Sequence, residues 1–133
     1  MLHDIDRDHI GKDAAEHLGG EFEQIVAEVQ LPELLIADIR SHYHESTGVP
    51  VNSLLRKYLA SVDELTGFVY AYSLMRPNGL EGMEAKSIIK KVKDKSFAAG
   101  VDRAHLRNCE TFLQIPLAEF VPGIIEALQT YQA

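Results

Sequence analysis

The longest unbroken stretch of helical period in the chain lies between two prolines, Pro50 and Pro77, and it limits the available folds more than any other feature. Leu55, Leu59, Val62, Thr66 and Val69 recur there on one helix face, so residues 53–76 predict a long helix with Asn52 as its N-cap. Such a helix must bury its stripe against other elements, and its neighbours are also helical in pattern. Phe22, Ile25, Val26 and Val29 fall at i, i+3, i+4 and i+7 within residues 13–30, with Asp13 as a cap and Gly19-Gly20 marking either a start or a bend. Pro32 suits the first position of the next helix, whose stripe of Leu35, Ile36 and Ile39 continues to His42 and Tyr43. Glu45 to Pro50 reads as a break. Residues 84–92, 102–112 (capped by Asp102) and 117–131 (bent or restarted at Pro122) supply further helices. Residues 6–12, dense in charge and interrupted by Gly11, read as an irregular connection. No stretch alternates as a strand would. The expected fold is all-α, one domain over residues 1–133 with about six or seven helices.

A chain of 133 residues with 46% apolar and 25% charged side chains can build one real core. Its net charge of -7 argues against nucleic acid as a partner, because a phosphate backbone rewards a basic surface. The charge is also segregated. The first 48 residues carry eleven Asp and Glu against three Lys and Arg, whereas Lys86, Lys90, Lys91, Lys93 and Lys95 crowd into one short segment. Cys109 is the only cysteine, which excludes an intrachain disulfide and points to a reducing interior. No apolar run approaches the roughly 20 residues needed to cross a bilayer, and the opening residues carry no apolar leader. The expectation is a soluble, cytoplasmic protein without a membrane partner.

The chemistry-bearing stretch is the opening Leu2-His3-Asp4-Ile5-Asp6. An imidazole beside a carboxylate suits first-row divalent ions, but two ligands leave most of a coordination shell empty. Taken alone, the pair reads rather as two polar residues at a frayed terminus than as a metal site. Asp63 sits beside the apolar face of the long helix, where a carboxylate is costly unless paired, hydrogen-bonded or metal-bound. In a purely structural role it would pair with Arg40 or Arg56.

Five stretches together resemble a small bacterial branch of the HD-domain superfamily: residues 2–6, Glu16-His17-Leu18-Gly19, Ile39-Arg40-Ser41-His42, residues 60–68 and residues 93–103. The resemblance covers nearly the whole chain. It implies an HD-like helical domain in which His3, Asp4 and Asp63 ligate one divalent ion, whether Mn, Fe, Ni, Zn or Mg. The superfamily's first His lies upstream of the His-Asp pair, and nothing but Met1 stands there, so the expectation is an N-terminally shortened domain. Lost helices would bare an apolar face, which points to a homo-oligomer, most simply a dimer. His17 matches the intermediate position of members that hold a second ion. His42 and His44 do not form the adjacent pair of those members, since residues two apart on a helix point about 200° away from each other. His17 and His42 are therefore expected to line the pocket or hold that second ion. His9, His44 and His105 read as solvated, with His9 as a substitute for the absent ligand.

The activity implied by the resemblance is metal-dependent phosphoester or nucleotide hydrolysis on a small phosphorylated substrate, with Asp4 both binding the ion and orienting the attacking water. Arg40, Arg76, Lys86 and Lys90 are candidates to neutralise the phosphate. The competing expectation is a degenerate HD fold, dimeric and without catalysis, acting as an interaction module.

Overall fold

The computed structural model of the chain describes residues 2–10 and 15–132. Among them it forms seven α-helices and no strand. These are α1 (Arg7–Ile10), α2 (Gly20–Glu28), α3 (Glu33–Ser41), α4 (His44–Thr47), α5 (Leu54–Ser73), α6 (Ala85–Lys93) and α7 (Leu117–Gln132). The tight turns Leu2–Asp4 and His105–Arg107 and a π-helical turn at Cys109–Leu113 supplement them. The expected roles of Gly11 as a breaker and Asp13 as a cap lie outside the described residues, as does the side chain of His9. Part of the expected connection over residues 6–12 is helical, as the single turn α1. No single helix among the described residues is long and apolar enough to cross a membrane.

The chain divides into two compact units, Met1–Arg56 and Lys57–Ala133. In the first, Leu18, Phe22, Val26 and Ile39 form a small apolar cluster with Ile5, Leu31, Leu35, Ile36 and Tyr43 packed on it. Val29, expected on the buried stripe, is 53% exposed because α2 stops at Glu28 and Gln30 turns the chain in a left-handed conformation. Pro32 stands just before α3 rather than inside it. Gly48, at φ 71°, ends α4 with the left-handed cap that glycine adopts without steric cost. The buried Arg56 donates to Asp38 Oδ1 (2.7 Å), the Pro50 carbonyl and the Asn52 side chain. Asn52 is thus taken up by Arg56, and the cap of α5 is Ser53, whose hydroxyl accepts from the Arg56 N–H at 3.2 Å.

The second unit holds the larger core. Leu65, Phe68 and Val69 of α5 meet Ile88 and Val92 of α6 and Leu117, Val121, Ile124 and Ile125 of α7, with Leu106 and Cys109 between elements. The buried face of α5 is turned from the expected one: Leu65 and Phe68 are inside, while Leu55 is 59% exposed. Pro122 lies inside α7 without ending it. The loop after α6 is tied down by Arg103, which donates to the carbonyls of Asp94, Phe97, Ala98 and Val101 and lies over the Phe68 ring.

Candidate metal centre

The first unit spends its interior on an imidazole and a carboxylate. Asp6 has no exposure, and both its oxygens accept hydrogen bonds, Oδ1 from His17 Nδ1 at 2.8 Å and Oδ2 from the Leu18 N–H at 2.5 Å. Bringing two consecutive donors onto one carboxylate demands an unusual backbone. Leu18 adopts φ 60°, a conformation costing a non-glycine residue about 1 kcal/mol, and its side chain is buried in the apolar cluster. Gly19 then closes the turn with its N–H on the Glu16 carbonyl at 2.9 Å; a Cβ there would stand only 2.9 Å from that same oxygen. The stretch resembling Glu16-His17-Leu18-Gly19 is therefore a device for holding one imidazole.

Its consequence is a fixed tautomer. Because Nδ1 of His17 carries the hydrogen given to Asp6, a neutral ring presents a lone pair at Nε2. The chain makes the same arrangement at His42, where α3 ends at Ser41 and Nδ1 lies 2.5 Å from the Ile39 carbonyl. The two Nε2 atoms face each other at 3.1 Å. Two lone pairs at that distance repel unless a proton or a cation is shared between them. Two metal–imidazole bonds of about 2.05 Å meeting at roughly 100° span the same distance.

Asp4 argues for the cation. Its Oδ1 lies 3.6 Å from His17 Nε2, too long for a hydrogen bond but ordinary for two ligands of one ion. Ligand atoms of Asp4, His17 and His42 all lie within 4.8 Å of one another. The second oxygen of Asp4 is 3.4 Å from Nε2 of the buried His3, whose ring meets that of His42 edge-on at 5.0 Å. Arg7 approaches Asp4 Oδ1 at 3.4 Å, and the Tyr43 ring lies 5.4 Å from that of His17. The donor set of imidazoles and a carboxylate, with one imidazole backed by a buried carboxylate, fits a divalent transition ion.

Asp63 is half-buried on α5, in the second unit. Arg40 lies over the Phe22 ring and pairs with Glu23, and Arg56 pairs with Asp38, so both guanidinium groups are already engaged. Arg76 donates to the Gly79 carbonyl. Lys86 is exposed and paired with Glu84, whereas Lys90 is exposed beside a groove of the second unit. His44 and His105, expected to be solvated, are both half-buried. The helix does unwind between His42 and His44, and only His42 joins the cluster. Sequence reasoning missed Asp6 altogether, although its signal was present as the second carboxylate of the opening motif. Comparison with protein-family models, curated proteins and solved structures finds no match.

Proposed function

We propose that Asp4, His17 and His42 hold a divalent ion and that the chain is a metal-dependent phosphohydrolase of the HD type that its sequence resembles. The observation carrying this reading is the opposed pair of Nε2 atoms, each made a lone-pair donor by what its own Nδ1 engages. Asp6 orients His17 as a ligand. Asp4 has one oxygen towards His17 and the other towards His3, so it is positioned to serve two ions. Asp63 enters the ligand set through the sequence resemblance. When bound, the ion polarises a phosphoryl oxygen and acidifies a water near neutral pH. The chain's own part is to fix the imidazoles, supply Asp4 as an acceptor for the proton of that water and exclude bulk solvent around His17. A small phosphorylated substrate, a cytoplasmic setting and self-association belong to the same reading.

The test is hydrolysis of an aryl phosphomonoester and an aryl phosphodiester by full-length protein stripped and reloaded with Mn, Fe, Ni, Zn or Mg. Turnover with at least one ion is expected, falling about a hundred-fold or more in Asp4→Asn with helical circular dichroism preserved. Absence of turnover with every ion favours the catalytically inert interaction module instead.

A further inference from the structure

The second unit carries a groove of about 610 Å³ lined by Tyr72, Ser87, Lys90, Lys91, Lys93 and Asp94. Ser87, Lys90, Lys91 and Asp94 stand at i, i+3, i+4 and i+7, so one stripe along α6 and the residue after it forms a wall. Opposite charges within that wall are unequally engaged. Asp94 accepts from the Ser96 N–H, the Ser96 hydroxyl and Lys91 Nζ at 2.9 Å, and these donors hold its carboxyl far below the usual carboxylate range. Lys91 is fixed in turn by Asp94 and by the Tyr72 and Phe97 rings, 5.9 and 5.3 Å from its ammonium. An ammonium has three donors, and Asp94 takes one. Lys90 and Lys93 are exposed and have no ion-pair partner among the described residues. The groove therefore presents one preorganised ammonium, two unpaired ones, a hydroxyl and an aromatic wall.

We infer that this groove binds a phosphomonoester, with the phosphate on Lys90, Lys91 and Lys93 and the organic part against Tyr72. A dianion with several acceptor oxygens matches several converging ammonium donors. The volume is that of a small-ligand site, and the net charge of -7 opposes a long polyanion. This site stands apart from the metal reading, because it uses no residue of the first unit and needs no ion.

Phenyl phosphate is titrated into metal-free, chelator-treated full-length protein and followed by phosphorus NMR, with inorganic phosphate as comparison. Saturable binding of phenyl phosphate is expected, tighter than that of inorganic phosphate. It should weaken about ten-fold or more in the double variant K90Q/K93Q. The control K86Q/K95Q removes the same charge from lysines outside the groove lining and should change affinity less than three-fold, as expected for screened surface charge. Both variants alter exposed side chains, and circular dichroism checks the fold. No saturable binding, or equal losses in the two double variants, would overturn the site. Hydrolytic activity and metal binding do not enter this readout, so its failure leaves the metal centre untouched.

Discussion

The two units stabilise themselves by opposite means. Among the described residues, Met1–Arg56 has a four-residue buried apolar cluster beside the buried polar side chains of His3, Asp6, His17, Ser41 and Arg56. Lys57–Ala133 buries thirteen residues in one apolar cluster, and among its described residues the buried polar groups are only Ser61 and Ser73. Both serines bond to carbonyls of their own helix, so they make no demand on tertiary partners. Burying Asp6 and His17 stabilises only while every donor and acceptor is matched, since unpaired buried polar groups are costly. The apolar unit has the character of a scaffold, and under the proposed function the polar one is a site whose ligand would complete its stability.

The largest effect should come from the scaffold. Phe68→Ala removes a fully buried ring and should cost about 4 kcal/mol, leaving a cavity in the larger core. Cys109 reports it: the thiol is buried, and burial, then the nearby Glu110 charge, push its pKa up, so it should resist a thiol reagent until the second unit opens. Rapid labelling of the wild-type protein would break the contrast between the units.

Asp6→Ala should come next, at about 3 kcal/mol, because it strands the His17 ring N–H and the Leu18 N–H inside. Amide exchange should accelerate over residues 15–47, while Cys109 stays masked. Equal loss of protection in both units would show that the polar interior is not separately poised.

A smaller effect should follow from Glu110→Ala. Glu110 accepts from the Leu117 N–H at the start of α7 and from Arg107, and these contacts, the backbone one first, hold its carboxyl below its ordinary value. Removing that cap should cost about 1 kcal/mol at neutral pH. A carboxyl lowered on folding contributes fully above its unfolded value and loses that contribution as pH falls through the lower folded value. The gap between wild type and variant in urea melts should therefore close in acid and stay constant from pH 6 to 8, an interval well above that carboxylate range.

The pattern of what was legible follows from which interactions are local. Apolar stripes located α2, α3, α6 and α7 because those helices expose one face and bury the other. On α5 two neighbouring stripes were apolar enough to serve, and packing in the second unit chose Leu65 and Phe68 over Leu55 and Thr66. The helix expected over residues 102–112 is instead a tight turn at His105–Arg107 capped by Ala104 and a π-helical turn at Cys109–Leu113, with Asp102 only accepting from the Ala104 N–H two residues away. Asp6 was not legible, because its partners lie eleven and twelve residues on and depend on the left-handed Leu18. The resemblance singles out His17 and His42 together, and their rings lie 5.2 Å apart. Their opposed nitrogens follow from a separation of 25 residues closed by tertiary structure.

The most direct measurement of the proposed metal centre is X-ray absorption at the metal edge of protein loaded with one equivalent of Zn or Ni. Two imidazole ligands at about 2.0–2.1 Å are expected in the wild type, with both lost in His17→Ala/His42→Ala. A shell without imidazole, or one unchanged in that double variant, would contradict the centre, and the opposed nitrogens would then be held together by a shared proton.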